Sequence, residues 1–371
     1  MLNRSIRYLF AALIVAASLP AMALNINLIE VGDFSGTNQG AWDGFVQAAT
    51  RWESLLSDQV TVNVEVGFSD LGSSILAQAG SYQGYVGYTS VRNALDTDRK
   101  SADDLAAVGS LTTDNTLAFV TNTSSGELVV DNGTGFHNGF NNENVKMTSA
   151  NAKALGLLDA NNTVVDAEIT FNSSFDFDYD PGDLIEAGFY DFVGVASHEL
   201  GHALGFISGV DQVDRLISAT PDGVPADWTT GTGVDALVST LDLFRYSGLV
   251  ADAESDLTGV DVDLDFSVHN GYNPYFSLDG GATSLGLFST GVDFGDGRQA
   301  SHWKDNLGLG LLDPTAAQGE LLQIDALDRL AMDVIGWDLI DPAAVPLPAA
   351  FWFFGSGLLV LLGVRRYSEK Q

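Results

Sequence analysis

The stretch His198-Glu199-Leu200-Gly201-His202 decides the expected fold, because it reads H-E-x-x-H within a predicted helix. Side chains four residues apart lie on one face of a helix, so the imidazoles of His198 and His202 can bind one metal ion. Glu199 lies between them, where a carboxylate can accept a proton from metal-bound water. The motif predicts a zinc hydrolase with His198 and His202 as metal ligands and Glu199 as the catalytic base.

The residues around this motif favour a helix of ordinary length. Asp191 is a candidate N-cap, and Gly205 suits the left-handed turn that often follows a helix. Gly201 within the helix costs about 0.5–1 kcal/mol relative to alanine. That cost predicts either close packing against the helix at Gly201 or a requirement of the site.

A catalytic zinc needs a third protein ligand, and the sequence leaves several candidates for it. Many related proteases place a histidine ten residues after the first, but this chain has Ser208 there. His302 is the preferred candidate because imidazole is a good zinc ligand, and Asp211 and His269 remain as alternatives. His137 is predicted to be a polar loop residue.

The segment Ser301-His302-Trp303-Lys304 carries a resemblance to a known family. Together with His198–Phe206 it resembles the leishmanolysin-like proteases of the metzincin class, in which a distant histidine follows an insertion. The resemblance extends from about Ala41 to Leu339 and implies that His198, His202 and His302 hold zinc. The chain departs from the family at Leu311-Leu312, where a supporting turn usually contains methionine.

Hydrophobic periodicity predicts the main elements of this domain. Ala41–Leu56 has the spacing of an amphipathic helix with core aromatics, and Val60–Phe68 alternates like a half-buried strand. Ala167–Phe171 is predicted to be a strand that accepts an extended substrate by backbone pairing. Leu327–Ile335 is predicted to be a closing helix. The expected fold is α/β (α+β), a metzincin-like zinc protease domain with a twisted mixed sheet, an active-site helix and a loop-rich C-terminal subdomain.

Both ends of the chain have the features of targeting segments. Residues 1–23 combine a basic start, an apolar stretch and an A-x-A cleavage pattern, which predicts a signal peptide. Residues 342–371 contain Val345-Pro346-Leu347-Pro348-Ala349, a short apolar run and an arginine pair, and they resemble PEP-CTERM sorting tails of Gram-negative bacteria. A plain C-terminal anchor is the alternative. The resemblance implies exosortase-type sorting machinery as a partner, transient inner-membrane insertion, and a catalytic domain over residues 24–341.

Composition restricts the partners and the metal chemistry. The net charge of −33 disfavours nucleic acid and anionic membrane surfaces as partners. Because the chain has no cysteine, any metal site must use nitrogen and oxygen ligands. The aspartate-rich stretches Phe175–Pro181 and Asp261–Asp265 could bind Ca²⁺, although solvated loops are the more common explanation.

These observations together predict a secreted or surface zinc endopeptidase acting on a protein or peptide. Two alternatives remain at this stage. One is a non-catalytic surface or matrix protein with a structural metal site, and the other is a zinc hydrolase of a non-peptide substrate.

Overall fold

The structure is a computed structural model that describes residues 24–32, 34, 39–123, 125–126, 128–132, 139–219, 238–248, 264–268 and 273–340. The expected signal peptide, the expected sorting tail, His137 and His269 lie outside the described residues. Among the described helices, none combines the length and the apolar character needed to cross a membrane.

The secondary structure is mixed, and short strands predominate in the C-terminal part of the chain. The helices are α1 (Gln39–Glu53), α2 (Tyr88–Asp98), α3 (Ala102–Ser110), α4 (Phe140–Glu143), α5 (Ser149–Ala154), α6 (Phe192–Leu204), α7 (Val210–Ala219) and α8 (Ala326–Val334). The strands are β1 (Asn25–Val31), β2 (Thr61–Ser69), β3 (Ala77–Ser81), β4 (Gln83–Gly87), β5 (Phe119–Asn122), β6 (Leu128–Asp131), β7 (Asn144–Thr148), β8 (Ala167–Asn172), β9 (Phe177–Asp178), β10 (Tyr190–Asp191), β11 (Arg245–Tyr246), β12 (Leu264–Asp265), β13 (Tyr275–Phe276) and β14 (Gly286–Leu287).

The largest sheet is mixed and has the strand order β1-β2-β8-β3. β1 and β8 each pair in parallel with β2, whereas β3 pairs antiparallel with β8. Val62, Val64 and Val66 on β2 are fully buried, which confirms the predicted strand. The expected mixed sheet is therefore present, as are the smaller sheets of an α/β chain.

Helix α1 packs the aromatic residues of its apolar face into the core. Phe45 and Trp52 are fully buried, and the Trp52 Nε1–H donates a hydrogen bond to the Ser197 carbonyl at 2.8 Å. That bond connects α1 to α6, the helix that contains the H-E-x-x-H motif. The prediction that these aromatics belong to the core is confirmed.

The position of β8 contradicts one expectation from the sequence. β8 lies between β2 and β3, so both of its edges are already paired and it cannot accept a substrate strand. The antiparallel strand β3, for which the sequence analysis made no prediction, covers that edge. The edge strand of this sheet beside α6 is β3.

The closing helix α8 confirms the predicted helix over Leu327–Ile335, although it begins and ends one residue earlier than predicted. Its N-terminus has a capping box, in which the side chains of Asp325 and Asp328 receive each other's backbone N–H. The buried Trp337 follows the helix, and its Nε1–H donates to the Leu204 carbonyl at 2.9 Å. The end of the described chain is thereby attached to the end of α6.

Candidate metal centre

Helix α6 places two of the predicted ligands one turn apart. Its N-cap is Asp191, whose carboxylate accepts the Gly194 N–H at 2.8 Å, and its C-cap is Gly205 with a φ of 132°. Both predicted helix ends are confirmed. The ring centroids of His198 and His202 are 4.7 Å apart on the same face of this helix.

The third histidine reaches the same point from a distant part of the chain. The Nε2 atom of His302 lies 3.2 Å from the Nε2 atom of His198 and 3.2 Å from that of His202. The two helical Nε2 atoms are 3.0 Å apart. The structure thus brings together the three histidines that the sequence selected.

The outer nitrogens of the rings show which tautomer each histidine adopts. Each Nδ1 faces a backbone carbonyl oxygen: Leu311 O at 2.8 Å for His198, Phe206 O at 2.7 Å for His202, and Gln299 O at 3.2 Å for His302. A carbonyl only accepts, so each Nδ1 carries the proton. The three Nε2 atoms then present lone pairs to one another, and none of them can donate to its neighbours.

Three converging lone pairs repel unless a cation lies between them. Zinc–nitrogen bonds of about 2.0–2.1 Å in tetrahedral geometry separate two ligand nitrogens by roughly 3.3 Å, close to the spacing here. Burial lowers the pKa of all three imidazoles, and that of His202 falls to about 3, so they stay neutral and available as ligands. Within the described part of the chain, this is the one group of three or more metal-binding side chains close enough to share an ion.

Glu199 lies in a nearly closed environment beside the triad. Its side chain is buried, and the carboxylate accepts the backbone N–H of Ala79 on β3. Burial raises the pKa of Glu199 from 4.5 to about 8, and the hydrogen bond from Ala79 partly opposes that increase. A cation held by the histidines would stabilise the charged carboxylate and lower its pKa. Burial and a bound cation would therefore shift the pKa of Glu199 in opposite directions.

The raised pKa of Glu199 predicts a stability difference that depends on pH. The pKa of the Glu199 carboxyl is 4.5 in the unfolded chain and about 8 in the folded one. The unfolded chain therefore releases this proton more readily, and the free energy of unfolding falls as the pH rises from 4.5 to about 8. Glu199→Gln removes this loss. In the metal-free protein the variant should gain on the order of 2–4 kcal/mol relative to the parent between pH 4 and pH 7. Urea unfolding at both pH values with a chelator present measures this, and parallel pH dependences for the two proteins would contradict it.

Two residues considered at the third-ligand position have other partners. The Asp211 carboxylate accepts the Ala300 N–H at 2.6 Å and also both the N–H and the hydroxyl of Ser301. The Ser208 hydroxyl donates to Asp242 at 2.6 Å. Asp211 therefore holds the segment that carries His302 and lies outside the histidine triad.

The turn at Leu311-Leu312 supports the triad in place of the expected methionine turn. Leu311 O accepts from the His198 ring, while the Leu311 and Leu312 N–H groups donate to the buried Asp328 at 2.7 and 3.2 Å. The Trp303 Nε1–H donates to the same carboxylate at 2.8 Å. Asp328 thus links the turn, the residue after His302 and the start of α8.

Close packing beneath α6 accounts for the glycine within the motif. A Cβ at Gly201 would lie 3.0 Å from Leu312 Cδ1, a contact tighter than ordinary side chains show. The expectation that close packing explains this residue is confirmed. The sequence did not lead us to predict the supporting roles of Asp211 and Asp328. The spacing of Asp325 and Asp328 before an apolar helix did, however, offer a signal for the capping of α8.

The aspartate-rich loop after β8 uses its carboxylates for local hydrogen bonds. Asp178 accepts the N–H groups of Asp180 and Glu186, both at 2.9 Å, and Asp180 accepts that of Gly182 at 3.0 Å. In the second stretch, residues 261–263 lie outside the described residues. Calcium binding stays a prediction for both stretches.

Comparisons with family models, with curated proteins and with solved structures found no match to this chain.

Proposed function

We propose that this protein is a zinc-dependent endopeptidase in which His198, His202 and His302 hold the metal and Glu199 is the general base. The observation that carries the proposal is the convergence of three Nε2 lone pairs 3.0–3.2 Å apart, with each Nδ1 bonded to a carbonyl. Backbone carbonyls behind ligand histidines are a common way to orient them toward a metal.

Zinc bound by the triad would lower the pKa of a water molecule and polarise the scissile carbonyl. The residues of the chain supply the proton transfers. Glu199 accepts a proton from the attacking water, and the same carboxyl then delivers it to the leaving amine. Its buried position next to β3 keeps bulk water from competing for that proton.

The edge strand β3 supports a peptide as the substrate. β3 contacts α6 directly, and the Ala79 N–H bonds to the catalytic carboxylate. Its other partner in the sheet is β8, so its outer edge can pair with an extended chain. Backbone pairing at this edge would recognise many sequences. Strand β3 therefore replaces β8, which the sequence favoured, as the proposed substrate-binding strand.

The wider family assignment rests on the motif and on its setting. The mixed sheet, the helix with H-E-x-x-H, and the distant Ser301-His302-Trp303 segment are together consistent with a leishmanolysin-like metzincin. The alternative of a structural metal site accounts poorly for Glu199, because a structural zinc needs no general base beside its ligands. A non-peptide substrate is less favoured, since a free strand edge recognises backbone amides.

Zinc dependence is the direct test of the proposed activity. The purified chain should cleave casein, lose that activity when a chelator removes the metal, and regain it with stoichiometric Zn²⁺. Metal analysis of the active protein should find one zinc per chain. A metal-free preparation that cleaves at the original rate would contradict the proposal, as would a zinc-loaded protein that cleaves no peptide.

We further propose export, with residues 1–23 as a signal peptide and residues 342–371 as a sorting tail handled by exosortase-type machinery. The protein would reach the cell surface or the medium of a Gram-negative bacterium after transient anchoring in the inner membrane. Cell fractionation with and without residues 345–371 tests this proposal. An unchanged distribution of the two proteins would contradict it.

A further inference from the structure

Strands β3 and β4 form one continuous edge that extends well beyond the metal centre. Only Tyr82 separates them, and its N–H donates to Asp166 O while its carbonyl accepts from Ser149 N, both at 2.8 Å. The paired edge therefore passes without a break from β8 to β7 at Tyr82. Within the described residues, no strand pairs with the opposite edge of residues 77–87, which we call the outer edge.

The direction of the backbone groups along the outer edge follows from strand alternation. The Leu76 carbonyl accepts from Asn172 N, and the backbone groups of Tyr82 bond on the same side of the strand. Both residues therefore point their backbone N–H and C=O groups away from the outer edge. Successive residues alternate, so the odd-numbered residues turn theirs outward. The Ala79 N–H, which bonds to Glu199, is one of these outward groups. Ser81, Gln83 and Tyr85 extend the same row away from the catalytic carboxylate.

Two exposed aromatic side chains stand at the far end of this row. Tyr85 is 52% exposed and Phe140 is 41% exposed, and their rings meet edge to face at a centroid distance of 5.9 Å. Tyr85 shares a strand face with Ser81, whose hydroxyl contacts the His202 carbonyl at 3.5 Å. The aromatic pair therefore lies on the face of the strand that looks toward the active-site helix.

We propose that Tyr85 and Phe140 form a distal subsite that binds an apolar side chain of an extended polypeptide substrate paired along the outer edge. This inference rests on the proposed peptidase function and adds a specificity element to it. The aromatic pair is continuous with the edge beside Glu199, which argues for the substrate as its occupant.

Strand geometry sets the position of the residue that the subsite reads. Tyr85 is six positions after Ala79 along the chain, a distance of roughly 20 Å at about 3.3 Å per residue. A substrate that pairs antiparallel to β3 and β4 runs past Tyr85 with its N-terminal part. The subsite therefore reads a residue about four to six positions before the scissile bond.

Matched peptides test the subsite. The long peptide carries a leucine five residues before the cleaved bond, and the short one ends three residues before it. The full chain should cleave the long peptide with a kcat/KM higher than that of the short peptide by roughly tenfold. Tyr85→Ala and Phe140→Ala should each reduce this ratio by roughly two- to tenfold. N-methylation of alternate backbone nitrogens in the extension should lower the ratio with a period of two residues.

A control variant separates this subsite from general effects of surface mutation. Leu105→Ala removes a side chain that is 58% exposed on α3, and it should leave the long-to-short ratio unchanged. Equal ratios in the parent, Tyr85→Ala and Phe140→Ala would overturn the subsite while leaving the peptidase intact. Failure of the parent to cleave either peptide would instead refute the proposed function. Loss of a dimer on Tyr85→Ala with unchanged ratios would assign the surface to a second copy of the chain.

Discussion

Replacing Glu199 by glutamine is expected to lower kcat for peptide hydrolysis by roughly 10²- to 10⁴-fold, the range typical of a general base. The amide is the same size and its oxygen can still accept the Ala79 N–H, but it cannot take a proton from water. KM should change little, because in the proposed mechanism the side chain would contact the attacking water and not the remote parts of the substrate. Steady-state kinetics on one fluorogenic peptide, from pH 6 to pH 9, provides the measurement.

The zinc content of the Glu199→Gln variant is the control for this experiment. Glu199→Gln leaves the three histidines and their carbonyl partners unchanged, so the variant should bind one zinc per chain. Near-parental turnover by the zinc-loaded variant would contradict the role of Glu199. Loss of zinc together with activity would show that Glu199 acts through the metal site and not as the base.

Replacing His302 by alanine is expected to weaken zinc binding by more than about 100-fold and to abolish hydrolysis with it. Loss of a supporting partner alone typically costs roughly 10- to 100-fold in metal affinity, and loss of a ligand should exceed this. Two imidazoles would remain on α6. Metal analysis after dialysis against a weak chelator, with circular dichroism to check folding, measures the effect.

Asp211→Ala is the matched comparison, because this carboxylate was one of the two alternatives to His302 as third ligand. Its oxygens accept from Ala300 and Ser301, so its removal should loosen the segment that carries His302 and destabilise the protein by about 1–3 kcal/mol. Measurable zinc should nevertheless remain. Zinc retained without His302 and lost without Asp211 would reverse the assignment of the third ligand.

Local sequence determined the helix that carries the motif and the elements around it. Asp191 and Gly205 set the ends of α6, and alternating valines set β2, because capping and side-chain periodicity act within a few residues of each other. His302 could be selected from the sequence because only five histidines exist and cysteine is absent. The H-E-x-x-H motif gave His198, His202 and Glu199, whereas His302 was only the preferred third ligand until the tertiary structure brought the three Nε2 atoms together.

The tertiary structure decided which strand lies at the edge of the sheet and which groups support the ligands. β8 has the composition of a strand, but whether its edge is free depends on β3, which the weak periodicity of its segment concealed. Asp211 has no local signature for its role, and the capping position of Asp328 does not reveal its bonds to Trp303 and Leu311, because both carboxylates accept hydrogen bonds from residues distant in sequence. Local patterns determine how a segment folds, whereas hydrogen bonds between distant segments determine where His302 meets His198 and His202.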